Sequence, residues 1–320
     1  MIQRNLYIQQ LISYMWDGQI KVITGIRRCG KSVLLFELFR DYLLSQGTNA
    51  DHIITIELDK RKDIKYRNPI ILCDMVEEKI QESTQQYYLF IDEIQLSVSV
   101  PDPDFPGEKV TIYEMLNELR GYKNLDIYVT GSNSKMLSSD IMTEFRGRSS
   151  QIHVFPFSFK EFFMAVGGDK RDAFDRYMLY GGMPYLLNLK EDRQKKDYLK
   201  QLFDEVYIKD IVEREGIERP DVLSDILDYL ASSVSSLTNP TNITNTLNST
   251  KKANISANTV SSYLEYLKNA FLINEAKRWD VKGKRYFQYP NKYYYTDIGL
   301  RNARVNFRQF DSGHIMENIL

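Results

Sequence analysis

The chain has 320 residues, 43% hydrophobic and 27% charged, with 42 Lys+Arg against 43 Asp+Glu. That is the profile of a folded globular protein with one large domain or two to three smaller ones, and it excludes a disordered chain or a uniformly basic, histone-like binder. No apolar run reaches the roughly 18 residues of a membrane helix, no signal-peptide pattern opens the chain, and Cys29 and Cys73 form neither a disulfide framework nor a C-x-x-C pair. The cytoplasm is therefore the expected compartment, and no membrane partner is expected. His52, His153 and His314 are too scattered for a metal-ligand pattern and read as structural residues.

In chain order, residues 19–24 read as a short strand ending at Gly25. Leu35, Leu38, Phe39 and Tyr42 then recur at i, i+3, i+4 and i+7, one face of a helix. Residues 52–58 are a second strand, 70–80 a helix, and 87–91 a continuous apolar run of the kind buried on both faces of a sheet. Residues 97–110 hold three prolines and a glycine and read as a loop. A helix at 113–119, a strand at 126–130 and a fifth strand near 152–155 complete an alternation that predicts a parallel sheet with helices on both faces.

Beyond Phe155 the pattern becomes helical, at 158–164, 173–179 and 199–212, broken by Gly181-Gly182-Met183-Pro184. A helix at 221–231 leads into a stretch where 20 of the 31 residues from 232 to 262 are Ser, Thr or Asn. Ile243 and Leu247, and Val260, Tyr263, Leu264 and Leu267, keep helical spacing within it, so two short helices with polar outer faces are expected rather than disorder. Strands at 271–279 and 285–289 follow, joined by 280–284. Three helices and a basic hairpin predict a winged helix-turn-helix, with its recognition helix near 256–270. Charge is uneven: residues 251–310 carry twelve Lys/Arg against four Asp/Glu. An acidic front and a basic back suggest modules with different partners, although a basic solvated face would look the same.

The sharpest motif is Gly25-Ile26-Arg27-Arg28-Cys29-Gly30-Lys31-Ser32, which matches G-x-x-x-x-G-K-S/T between a predicted strand and a predicted helix. Glycines let the backbone N–H groups curl around phosphate oxygens, and the helix N-terminus adds positive potential. Lys31 is placed to reach the β- and γ-phosphates of ATP, and Ser32 to ligate Mg²⁺. The expected nucleotide cradle runs from Gly25 to Val33. Cys29 occupies a variable position without assigned chemistry, and Arg27 and Arg28 either touch nucleotide or face solvent. Some 60 residues on, an apolar strand ends in Asp92-Glu93. Asp92 would complete the Mg²⁺ shell, and Glu93 would act as general base on the attacking water.

A third strand ends in Thr130-Gly131-Ser132-Asn133. In ATPases with a catalytic Glu beside the metal-binding Asp, such a strand lies between the P-loop strand and the acidic strand. Ser132 or Asn133 would sense the γ-phosphate, or would cap the following helix. Arg148, in Phe145-Arg146-Gly147-Arg148, would stabilise the transferring phosphoryl group, often at a neighbouring subunit in a homo-oligomer, or would be a surface residue. Arg146 reads as a surface residue.

The P-loop, the Leu-Phe-Ile-Asp-Glu-Ile-Gln strand, the Thr-Gly-Ser-Asn turn, Phe-Arg-Gly-Arg, the Phe-Pro-Phe-Ser-Phe-Lys-Glu-Phe run at 155–162 and Tyr-Gly-Gly-Met-Pro at 180–184 together resemble a prokaryotic AAA-type ATPase family. The resemblance covers nearly the whole chain. It implies an ATPase core joined to a C-terminal domain of unknown function that includes a winged helix. The 97–110 loop is longer than the family pattern. In the family, the segment from 313 resembles the opening helix of a nuclease-like α/β module. The expected organisation is a P-loop ATPase domain at 1–157, a helical lid or linker at 158–216, a winged helix at 217–310 and the start of that further module at 311–320.

Two functions remain open. In one, the protein binds and hydrolyses ATP and engages double-stranded DNA through Lys277, Arg278, Lys282, Lys284 and Arg285 on the wing. In the other, the winged helix mediates protein assembly and nucleotide orders the fold. A small-molecule kinase fits less well, because a kinase needs no water-activating Glu.

Overall fold

The computed structural model describes residues 2–80, 84–131, 145, 147–277, 290–308 and 311–320. The chain divides into two compact units, Met1–Ile26 with Gly30–Val154, and Arg27–Cys29 with Phe155–Leu320.

The first unit is built on a five-stranded, all-parallel sheet. Its strands are β1 (Ile20–Thr24), β2 (Ile53–Glu57), β3 (Tyr87–Asp92), β6 (Leu125–Thr130) and β7 (Ser149–His153), in the order β2-β3-β6-β1-β7. The strand ending in Thr130 does lie between the P-loop strand and the acidic strand. Alternation along β3 and β6 sorts side chains onto two faces. Leu89, Ile91, Ile127 and Val129 pack with Leu72, Val76 and Ile80 of helix Pro69–Ile80 and with Leu116 and Leu119 of helix Ile112–Leu119. Phe90 and Tyr128, one residue out of phase, face the opposite way. They meet Phe39 at ring separations of 5.8 and 5.1 Å. Phe39 closes the π-type stretch Leu34–Phe39 of the helix that begins at Lys31.

That face also holds a buried charge cluster. Lys21, fully buried in β1, pairs with Asp126, and Asp17 lies 2.9 Å from its Nζ. Tyr128 Oη and Trp16 N–H donate to the other Asp126 oxygen at 2.8 and 3.1 Å. Burial pushes the Asp126 carboxyl up, and the Lys21 ammonium works against that rise.

The predicted loop at 97–110 contains a two-residue antiparallel pair, β4 (Val100–Pro101) with β5 (Lys109–Val110). Such strands are too short to leave a periodic signal. Asp102 holds the turn between them by accepting from Asp104 N–H at 2.8 Å.

The second unit begins with helices Phe159–Val166 and Lys170–Tyr180, started by a Ser158/Glu161 capping box and an Asp169 cap. The predicted 199–212 helix is longer. It runs as Asp192–Gln201, the π-type stretch Leu202–Ile208 and Lys209–Glu215, and it stops at left-handed Gly216. Helices Pro220–Ser232, Pro240–Lys251 and Ala257–Asn269 follow. An antiparallel sheet, β8 (Leu237–Thr238), β10 (Asn291–Tyr295) and β9 (Ile273–Ala276), is ordered β8-β10-β9. β9 lies inside the predicted 271–279 strand. Its partner is Asn291–Tyr295, whereas the predicted 285–289 strand lies outside the described residues. β8 was not predicted.

Helix Ile298–Arg304 packs tightly on Lys170–Tyr180. Asn302 Nδ2 donates to Met178 O at 2.8 Å. Asp297 caps Ile298–Arg304 through Leu300 N–H at 3.1 Å, and it also accepts Gly182 N–H at 2.7 Å. Only glycine fits at 182, where a Cβ would lie 2.0 Å from Phe157 O. Helix Ser312–Ile319 belongs to this same unit. Ile315 packs with Met178 and Ile298, and Tyr294 Oη donates to Glu317 at 2.7 Å.

Candidate functional site

Parallel register decides which motifs meet. Asp92 is level with Thr130 on β6, and Thr130 is level with Ile23 on β1, so the P-loop and the acidic pair leave the sheet at the same C-terminal edge. β3 and β1 are separated only by β6, a span of about 10 Å. Ligands of open α/β sheets bind at this edge.

In the loop, Gly30 adopts φ +99°, a left-handed conformation that lets helix Lys31–Val33 begin directly after it. Lys31 is buried, and its Nζ donates to Gly25 O and Ile26 O at 2.9 Å each. An ammonium has three N–H donors, so one remains for a phosphate oxygen. Ser32 and Val33 are exposed on the first turn. Ile26 and Cys29 are buried, and Arg28 is exposed with left-handed φ +63°. Arg27–Cys29 group with the second unit, where Tyr207 Oη donates to Arg27 O at 2.9 Å and Asp210 lies 3.6 Å from the Arg27 guanidinium.

Asp92 is buried, and its Oδ1 accepts from Thr130 Oγ1 and from Glu93 N–H, the latter at 3.2 Å. Among the described residues its Oδ2 takes no hydrogen bond, and neither does the exposed Ser32 hydroxyl. These two open oxygens are hard donors of the type Mg²⁺ prefers. Mg²⁺ commonly takes only one or two protein ligands beside substrate phosphates and water, so the residues present fit that ion. Among the described residues there is no cluster of three or more His, Cys, Asp or Glu that would cage a metal by protein alone. Glu93 is half-buried with left-handed φ +52°, and its carboxylate accepts from Gln95 Nε2.

Sequence reasoning missed Thr130 and Gln95. Thr130 opens the Thr-Gly-Ser-Asn turn and Gln95 closes the Leu-Phe-Ile-Asp-Glu-Ile-Gln strand, but the sequence assigns neither a role. His153 ends β7 opposite Thr24, with Nδ1 3.2 Å from Thr24 Oγ1. Burial, and secondarily the Lys31 ammonium, pull its imidazole down to about 4, so it is neutral at pH 7. Burial, aided by Glu77, pushes the Cys73 thiol up to about 12, which leaves it inert.

Ser132, Asn133 and Arg146 lie outside the described residues. Arg148 is exposed and does not join the cluster. Its carbonyl accepts Ile20 N–H at 3.1 Å at the start of β7, so it marks the N-terminal edge of the sheet, roughly 13 Å of strand away from the P-loop. Of the predicted basic set, Lys277 is described and exposed, while Arg278, Lys282, Lys284 and Arg285 lie outside the described residues. On helix Ala257–Asn269, Asn258, Ser262 and Glu265 are exposed. Thr259 N–H caps onto Ser256 Oγ at 3.1 Å, and Lys268 is engaged by Glu265 and Glu275 at 2.6 and 2.8 Å. No helix among the described residues is long and apolar enough to cross a membrane.

Residues 17–163 match a family described as an AAA domain, and 171–311 match a domain of unknown function, DUF8612. The chain is 34% identical over 325 residues to an uncharacterized protein of Haemophilus influenzae, covering 100% of this chain and 78% of that protein. It is 29% identical over 324 residues to an uncharacterized protein of Methanocaldococcus jannaschii, covering 95% of this chain and 66% of that one. Among solved structures it is similar to AMPPCP-bound DnaA from Aquifex aeolicus (TM-score 0.38, 15% identity, 82% of this chain and 86% of that one). It is also similar to the Aeropyrum pernix ORC1 protein in complex with DNA (TM-score 0.34, 10% identity, 96% and 93%).

Proposed function

The chain belongs to the family that joins an AAA domain to this C-terminal domain of unknown function, and on that premise we propose that it is a nucleotide-dependent switch that binds and hydrolyses ATP and engages duplex DNA. The observation that carries the nucleotide reading is the convergence of Lys31, Ser32, Asp92 and Glu93 on one edge of the sheet, with Thr130 bonded to Asp92. Mg²⁺ would sit between Ser32 and Asp92 and neutralise charge on the phosphates. Lys31 holds the phosphate chain. Glu93 takes a proton from the attacking water, while Gln95 orients its carboxylate. Arg148, at the far edge of the sheet, would serve a neighbouring copy's nucleotide.

The DNA reading rests on the helix–strand–helix–helix–strand–strand order of 220–295, which is that of a winged helix, and on the basic content of 251–310. A protein-assembly reading is favoured by helix Ala257–Asn269, whose one lysine is occupied by two glutamates. One experiment separates them, namely ATP turnover and duplex binding measured together at several salt concentrations. DNA engagement through phosphates gives a log–log salt slope of about −0.9 per contact. It also gives a slope flattened by one to two when Lys282 and Lys284 are replaced together. No duplex binding at low salt would promote assembly as the function.

A further inference from the structure

β2 forms one edge of the five-stranded sheet, and its outer side opens into a cleft of about 610 Å³. That volume is within the range of ligand sites. Alternate residues of a parallel strand direct both backbone groups to the same side. The phase is set at the strand's end. Leu58 N–H donates inward to Asp92 O at 3.3 Å, while Glu57 N–H turns outward to Asp63 Oδ2 at 2.9 Å. Ile54 and Ile56 therefore pair with β3, and the C=O of Ile53 and the N–H and C=O of Thr55 face the cleft, while the Ile53 N–H closes the preceding turn on Ala50 O. These three groups have no partner among the described residues.

Exposed strand edges are usually blunted by proline, lysine or a bulge. Ile53-Ile-Thr-Ile-Glu57 has none of these, and Asp63 covers a single N–H. The cleft walls offer side-chain subsites as well, with Tyr66, Met75 and Tyr87 supplying apolar surface. Asp51 and Lys79 line it too, and neither has an ion-pair partner among the described residues.

We propose that this cleft binds an extended peptide, which adds to the sheet as a sixth strand beside β2. The shape argues for a single strand. The edge is recessed between its walls, so the equally recessed edge of a second copy would meet it concave to concave. The charges argue for a peptide bearing both signs, an acidic group for Lys79 and a basic group for Asp51. The bonding pattern demands free amides at alternate positions, with apolar side chains between them.

The test uses the full chain. A library of octapeptides drawn from Val, Ile, Thr, Lys and Glu is selected against it, and the enriched sequence is titrated by fluorescence anisotropy. Saturable binding is expected, weakened tenfold or more when alternate peptide amides are N-methylated. Thr55→Pro removes an outward N–H and fills the cleft while sparing the bonds to β3, as edge prolines do. It should keep the parent's melting temperature and lose the peptide. Absence of any enriched peptide would overturn the proposal. So would equal affinity for the N-methylated form, unchanged binding by a folded Thr55→Pro chain, or a dimer of the full chain that Thr55→Pro dissolves. If Thr55→Pro does not fold, the N-methyl comparison on the parent decides.

Discussion

Asp297 offers the most demanding test of the second unit. Its side chain is 4% exposed and takes N–H bonds from Gly182 at 2.7 Å and Leu300 at 3.1 Å. Asp297→Ala leaves both donors buried and unpaired, at a cost of about 1–3 kcal/mol each. A total near 4 kcal/mol lowers the melting temperature of a unit this size by about 8–16 °C. The loss should depend on pH, and the sign is fixed by burial. Burial raises the carboxyl to about 6, with the Gly182, Leu300 and Gly299 N–H groups working against that rise. A raised folded pKa means that the stabilisation is full below the unfolded value near 4 and is lost as pH rises through 6. A shift of about two pKa units corresponds to roughly 3 kcal/mol. The stability gap between parent and Asp297→Ala should therefore be widest near pH 4 and narrow by that order at pH 7. Native-state hydrogen exchange on peptides covering 170–182 and 298–304 reads it directly. A gap that does not change with pH, or an alanine variant as stable as its parent, would refute the reasoning.

Three further outcomes are expected. Lys31→Ala should abolish most ATP·Mg²⁺ binding by calorimetry, because the ammonium proposed to hold the phosphates is gone. Glu93→Gln should leave ATP binding intact while steady-state turnover falls by roughly 10²–10⁴-fold, the usual weight of general-base catalysis. Lys21→Met should destabilise the first unit by about 3–5 kcal/mol in urea titration by stranding Asp126, whereas joint replacement of Lys21 and Asp126 by apolar residues should cost less than either single change.

The P-loop edge of the sheet was legible because its signals are local. Eight consecutive residues define the loop, and the apolar runs of β1, β3 and β6 announce buried strands whichever neighbour they take. Boundaries held to within a few residues across the first unit. β8 and the hairpin strands at 100–101 and 109–110 escaped because two residues carry no period. The strand Asn291–Tyr295 that pairs with β9 was not predicted, because it mixes tyrosines with polar residues, and its register with Ile273–Ala276 identifies it.

What the sequence determined by itself was the inventory of chemistry: a phosphate loop, an acidic pair and an α/β alternation, each encoded within a few neighbouring residues. Tertiary structure decided which groups meet. Thr130 joins Asp92, and Arg148 is carried to the opposite edge, because parallel register sets height along every strand. Lys21 is paired with Asp126, 105 positions away in the chain. Asp297 accepts the N–H of Gly182, 115 positions away. In each case a buried polar group requires a partner, and that partner is distant in the chain, so only the fold can supply it.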